Sequence, residues 1–128
     1  FPSTTLFRSF LRLSTPSGFF RVALRTEGGS VFASDPALYF PIAAVGNPVG
    51  LAIDVCGNLY TADTRANILW RIPTGPTPAM AGPRPTALYG GQVGAPVYGA
   101  GPFDPTRLYW INGARVYSVP TGVMGFRQ

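Results

Sequence analysis

Three stretches of this 128-residue chain follow one plan, and this repetition limits the fold more than any other feature of the sequence. Each begins with a turn, continues into an apolar and aromatic run that ends on Asp or Asn, and returns after a short loop as a second apolar run. The stretches are GGSVFASDPALYFPIA (28–43), CGNLYTADTRANILWRIPTG (56–75) and PTRLYWINGARVYSVPTG (105–122). Internal repeats of this kind indicate an architecture that stacks copies of one small unit.

Each unit is predicted to be a β-hairpin, because β-branched and aromatic residues dominate both of its runs. In the second unit the preceding residues Leu51-Ala52-Ile53 add a third strand. The sequence therefore predicts an antiparallel meander over 50–54, 58–62 and 68–72, with Asp54 accepting backbone N–H groups across the turn to Gly57. Segment 19–35 is interpreted as a strand, a Glu-Gly-Gly turn and a second strand.

The composition agrees with an all-β protein of short strands. Apolar residues make up 46% of the chain and charged residues 12%, while Gly 16 and Pro 14 argue against long helices. An aromatic content of 13% also argues against intrinsic disorder. Segment 73–103 is rich in Pro and Gly and is predicted to be a long loop with room for an edge strand.

Charge and residue usage exclude several function classes. The net charge of +5 comes from scattered arginines with no lysine, so no cluster of cations converges on phosphates and no nucleic-acid partner is predicted. The chain has a single cysteine, Cys56, and no histidine, which leaves neither an internal disulfide nor a His-based catalytic or metal site. Uninterrupted apolar stretches are far shorter than the ~20 residues of a transmembrane helix.

The two ends of the chain do not follow the repeated plan. Residues 1–9, FPSTTLFRS, resemble the translated remnant of a sequencing adapter, and we expect this segment to be non-native. On that interpretation the folded part is 10–128, and the native N-terminus, with any signal peptide or upstream repeats, lies outside this chain. The localisation is therefore left unassigned. The C-terminal residues GVMGFRQ show no packing pattern.

Residues 48–72 resemble the NHL repeat of six-bladed β-propellers. The positions that carry the resemblance are Pro48, Gly50, Leu51, Ala52, Asp54, Gly57, Asn58, Leu59, Tyr60, Ala62, Asp63, Thr64 and Ile68. The likeness extends more loosely to blades of the SMP-30/gluconolactonase and strictosidine-synthase-like groups, and residues 107–119, RLYWINGARVYSV, look more like a YWTD blade. A closed ring of four or more blades at ~40–45 residues each needs a longer chain. The resemblance thus implies antiparallel meander blades of an incomplete propeller, a fragment of about two to three blades, with units at about 19–46, 47–75 and 104–122.

The resemblance implies two alternative functions. The first is a non-catalytic binding or scaffold module that presents one propeller face to a protein, a glycan or a small-molecule ligand. The alternative is a metal-dependent lactonase or ester hydrolase of the SMP-30/gluconolactonase type, or a strictosidine-synthase-like protein. In the lactonase, acidic and amide side chains from several blades hold one divalent cation, Ca²⁺ or Zn²⁺.

A valine stands at one of the ligand positions of the lactonase family. That position directly precedes the Gly of Gly-Leu-Ala-Ile-Asp and is occupied here by Val49, which cannot ligate a metal. The prediction therefore leans away from catalysis and assigns no catalytic and no cofactor-binding residue. Three positions remain candidates for metal ligands: Asn47, Asp63 and Asn112.

Structural roles are expected for most other polar and aromatic residues. Asp54 is assigned to its turn and Asp104 to a turn before Pro105, while Asp63, Asp35 and Asn112 are expected to cap the loops that follow their strands. The aromatic residues expected to pack between blades are Trp70, Trp110, Tyr60 and Tyr109.

Overall fold

The computed structural model describes residues 4–14, 17–33, 37–40, 48–73 and 85–126. The described residues form antiparallel β-sheets and no helix, so the predicted all-β class is confirmed. Within these ranges, no helix has the length and apolarity needed to cross a membrane. The chain divides into two compact units, Phe1–Ile42 and Ala43–Gln128.

The first unit contains a four-stranded sheet built around one long strand. Its strands are β1 (Thr4–Ser14), β2 (Ser17–Glu27), β3 (Ser30–Ala33) and β4 (Ala37–Phe40). β2 pairs with β1 and, near its two ends, with β3 and β4. The prediction of a hairpin in 28–43 is therefore wrong, because its two strands pair with β2 and not with each other. Gly28 and Gly29 form the β2–β3 turn with positive φ, which confirms the strand, Glu-Gly-Gly turn and strand predicted there. Residues 4–9 lie within β1, and their non-native origin stays a prediction.

The second unit begins with a four-stranded meander in chain order. Its strands are β5 (Pro48–Ile53), β6 (Leu59–Asp63), β7 (Ile68–Ile72) and β8 (Thr86–Gly90). The first three correspond to the predicted meander. The pairing of β5 with β6 shifts register between Val49 and Ala52, where Gly50 has a φ of 69°. The conformational freedom of glycine permits this bulge.

A three-stranded sheet follows in the same unit. It consists of β9 (Val97–Tyr98), β10 (Arg107–Asn112) and β11 (Arg115–Pro120), with β10 in the centre. β10 and β11 form a hairpin closed by the two residues Gly113 and Ala114, and Gly113 has a φ of 61°. Both β8 and β9 fall in segment 73–103, so the segment predicted as a loop with room for one edge strand supplies an edge strand to each sheet.

The core of the second unit contains residues from both of its sheets. Its buried members are Ala52, Tyr60, Ala62, Leu69, Val93, Leu108 and Trp110. β6 is buried at all five positions, so Leu59 and Thr61 on its opposite face are also excluded from solvent. Gly50 permits close approach to the segment before β9, because a Cβ there would lie 2.7 Å from the Cβ of Ala95.

Candidate functional site

Asp54 follows β5 and organises the turn that leads into β6. Its Oδ1 accepts hydrogen bonds from the backbone amides of Cys56 and Asn58, both at 2.9 Å. Its Oδ2 accepts from Asn58 Nδ2 and from Tyr60 Oη, both at 2.8 Å. The amide of Gly57 instead donates to the backbone carbonyl of Asp54 at 3.0 Å. The predicted turn role of Asp54 is confirmed, with Cys56 and Asn58 as the donors to its carboxylate.

Two tyrosines lie beside this carboxylate. Burial raises the pKa of Tyr60 well above its usual range, and hydrogen bonding with Tyr98 and Asp54 raises it further. Burial also raises the pKa of Tyr98. The two rings meet edge to face with centroids 5.8 Å apart. Two neutral phenol side chains, Tyr60 and Tyr98, therefore lie beside the buried carboxylate of Asp54.

The candidate metal ligand Asp63 ends β6 and is buried. Its Oδ1 accepts hydrogen bonds from the backbone amides of Arg65 at 2.9 Å and Ala66 at 3.1 Å. These contacts are the loop cap expected for this position. One of the two carboxylate oxygens is therefore engaged by the chain itself.

Asn112 ends β10 in the other sheet of the second unit. Its Nδ2 donates to the carbonyl of Val93 at 3.0 Å, so this amide connects two distant segments and the prediction that it caps the following loop is wrong. The two-residue turn of Gly113 and Ala114 is too short to offer a loop of amides to cap.

The remaining candidates, Asn47 as a metal ligand and Asp35 as a cap, lie outside the described residues. Val49 is half-buried in β5.

The acidic residues of the described part do not converge. No group of three or more His, Cys, Asp or Glu side chains with metal-site geometry occurs in the described ranges. Asp104 lies in an exposed turn, where its Oδ1 accepts from the amide of Thr106 at 2.8 Å and from the hydroxyl of Thr106 at 2.7 Å. These donors hold the pKa of Asp104 below its usual value.

An apolar groove of about 620 Å³ lies on the β9–β11 sheet and the loop that joins β9 to β10. Its lining includes Val97, Tyr98, Phe103, Tyr109, Ile111 and Val116. None of the lining residues carries a formal charge, and Ile111 and Val116 are each 69% exposed. The volume falls within the range of small-ligand pockets, roughly 300–1,000 Å³. We refer to this surface as the apolar groove.

The groove arises because β10 is apolar on both faces. Leu108 and Trp110 point into the core, while Tyr109 and Ile111 alternate with them and face outward. Tyr109 contacts Phe103 with ring centroids 5.3 Å apart, and its Oη accepts a hydrogen bond from the amide of Asp104 at 3.2 Å.

The four aromatic residues expected between blades occupy different environments. Tyr60 and Trp110 lie in the core. Tyr109 is half-buried, lines the groove and lies outside the buried core cluster. Trp70 is half-buried, and its indole N–H has no acceptor among the described residues.

Trp110 joins the core to a layer of aromatic rings. Its indole N–H donates to the carbonyl of Gln92 at 2.9 Å, and its ring stacks on Tyr117 with centroids 5.8 Å apart and an interplanar angle of 6°. Tyr89 packs on it at 5.1 Å, and Tyr117 Oη is 2.8 Å from Gln92 Oε1. Trp110 also contributes to the groove lining, so the groove rests on a fixed aromatic layer.

A short segment after β11 connects the two sheets of the second unit. We call residues 121–126 the C-terminal strap. The amide of Val55 donates to the carbonyl of Met124, and the amide of Phe126 donates to the carbonyl of Ile53, both at 2.9 Å. Gly125 donates to the carbonyl of Pro105 at 3.1 Å. The sequence offered no signal for this pairing, because one Gly between Met and Phe has no strand-like alternation.

Comparison with protein families, curated proteins and solved structures finds no match to this chain.

Proposed function

We propose that the chain is part of an NHL-like β-propeller and acts as a non-catalytic binding or scaffold module. The feature that carries this proposal is the uncharged, outward-facing apolar groove on β9–β11. Exposed apolar surface of this kind costs solubility and is common where proteins bind ligands or other proteins.

The hydrogen bonding of Asp54 supports the propeller part of the proposal. Asp54, Asn58 and Tyr60 belong to the NHL-like signature, and their side chains bond to one another. In the second unit two antiparallel meanders follow one another along the chain, which is the organisation expected of blades.

The acids of the second unit support binding over catalysis. Asp54 and Asp63 accept hydrogen bonds from nearby backbone amides, which is the behaviour of carboxylates that shape turns. A lactonase of the metal-dependent type requires acidic and amide ligands from several blades at one cation. Val49 occupies one of the positions at which that family carries such a ligand.

Titration with the neutral fluorescent dye Nile red tests the groove. We expect the wild-type chain to bind the dye and Ile111→Lys to weaken binding at least tenfold, because the substitution places a cation on an uncharged lining. Val31→Lys is the matched control, since Val31 is similarly exposed at 62% but belongs to the first unit. Equal dye affinity in wild type and Ile111→Lys would contradict groove binding.

A lactone-hydrolysis assay with Ca²⁺ or Zn²⁺ distinguishes the alternative. The proposal expects no metal-dependent turnover from this chain or from any longer protein that contains it. Metal-dependent turnover that disappears in Asp63→Asn would overturn the binding module in favour of the hydrolase.

A further inference from the structure

We propose that the C-terminal strap sets the shape of the apolar groove through Tyr98, so that docking of the strap and occupancy of the groove are coupled. The ligand part of this inference rests on the proposed binding function. The structural part rests only on contacts within the second unit.

The strap is hydrogen-bonded to two segments of the second unit, one that leads from β5 to β6 and one that lies just before β10. On one side it pairs with residues 53–55, where Asp54 and Gly125 form an antiparallel bridge. On the other side the amide of Thr121 donates to the carbonyl of Thr106 at 2.9 Å, just before β10. Displacing the strap therefore breaks hydrogen bonds at two places at once.

Tyr98 is shared by the strap and the groove. Its Oη donates to Thr121 Oγ1 at 3.1 Å, and its side chain also contributes to the groove lining. The ring additionally contacts Tyr60 of the core. The orientation of this one side chain is thus fixed by the strap on one side and shapes the groove on the other.

Gly125 lies directly against the ring of Tyr98. A Cβ at position 125 would lie 2.7 Å from Tyr98 Cδ2 and closer still to Cγ. Real Cβ atoms do not approach other atoms so closely, so any larger residue forces either the ring or the strap to move. Glycine at this position is therefore a requirement of the docked strap.

The strap and a ligand in the groove would therefore contact the same side chain, that of Tyr98. If the strap leaves, Tyr98 Oη loses its acceptor and the ring loses its cover, which frees the ring to move into or away from the groove. A ligand that packs on the docked ring stabilises the docked strap, and by thermodynamic linkage each event favours the other by the same factor.

Amide hydrogen exchange tests the coupling without a ligand. The informative amides are those of Val55 and Phe126, which report strap pairing, and Gly99, which follows Tyr98 and donates to the carbonyl of Arg107 at 3.0 Å. In Gly125→Ala we expect exchange to become about tenfold faster at all three amides. Gly90→Ala is the matched control, because a Cβ there meets nothing within 4 Å, and it should change none of them.

Thr121→Val provides a second variant, which removes the acceptor of Tyr98 Oη together with the hydrogen bonds of the Thr121 hydroxyl to the carbonyls of Thr106 and Val123. If Gly125→Ala fails to fold, Thr121→Val tests the coupling instead, and we expect faster amide hydrogen exchange at Gly99 in this variant as well. Faster exchange at Val55 and Phe126 with Gly99 unchanged would overturn the coupling. Unchanged exchange at all three amides would overturn it as well.

Nile red titration of the same variants tests the ligand part. Both strap variants should weaken dye binding, and saturating dye should slow exchange at Val55 and Phe126 in the wild type. Dye affinity that is equal in wild type and both variants would contradict the coupling. If the wild type binds no dye, the proposed groove binding fails, while exchange at Gly99 still decides whether strap and groove wall move together.

Discussion

At the scale of single residues, Asp54 explains why a signature of Asp, Gly, Asn and Tyr produces one particular turn. Its carboxylate is completely buried and accepts hydrogen bonds from two amides, one side-chain amide and one phenol. A buried carboxylate is tolerated only when its oxygens are satisfied in this way. The neighbouring Gly57, with a φ of 88°, supplies the backbone conformation that brings Asn58 back towards Asp54.

We predict that Asp54→Asn lowers the free energy of unfolding by about 2 to 4 kcal/mol, because an amide replaces one charged acceptor with a donor that faces other donors. Urea unfolding at micromolar chain concentration measures the change. Asp104→Asn is the control, since Asp104 is exposed and its carboxylate bonds only to Thr106 within the same turn, and it should leave the midpoint almost unchanged. A wild-type midpoint in Asp54→Asn would contradict this role.

At the scale of elements, alternate residues of β10 lie in two environments, the buried core on one face and the apolar groove on the other. Leu108 is completely buried in the core, whereas Ile111 on the opposite face is 69% exposed in the apolar groove. The two side chains have similar size and similar hydrophobicity. Their contributions to stability should therefore differ because of burial and not because of chemistry.

Leu108→Ala should destabilise the chain by about 2 to 4 kcal/mol, the cost of a buried cavity. Ile111→Ala in the same strand should change the free energy of unfolding by less than about 0.5 kcal/mol. Thermal or urea unfolding of the two variants side by side makes the comparison. Equal losses would mean that Ile111 is buried in solution.

The strands of the second unit differ in how visible they are in the sequence. β6 and β7 could be predicted because β-branched and aromatic runs lie between turn residues. β8 and β9 could not be placed, because the Gly and Pro around them hide short runs whose pairing depends on distant strands. The groove was missed for a related reason: the sequence marks Ile111 and Tyr109 as apolar but does not say which face another element covers.

At the scale of the whole molecule, the described surface exposes several large apolar side chains on the β9–β11 sheet and the loop between β9 and β10. Val97, Phe103, Ile111 and Val116 all contribute to the apolar groove and are each more than half exposed. Among the strands that the structure describes, β11 is also at the edge of its sheet, which leaves backbone groups available for pairing. Apolar surface beside an open edge favours association between chains.

We predict that the chain self-associates in a concentration-dependent way above the micromolar range used for the unfolding measurements. The double variant Ile111→Lys with Val116→Lys should reduce association, as measured by sedimentation velocity. Val31→Lys with Ser30→Lys adds the same charge at exposed positions of the first unit and should not reduce it. A wild-type chain that stays monomeric up to the highest concentration measured would contradict this prediction.

The exposed thiol of Cys56 gives the molecule a built-in attachment point for a spectroscopic label. Because the chain has a single cysteine, a maleimide dye would attach at one defined place without any engineering of the sequence. That place is next to Val55, whose amide holds the carbonyl of Met124. A fluorophore at Cys56 would therefore change its emission when the C-terminal strap detaches from Val55, so that detachment could be followed in single molecules in real time.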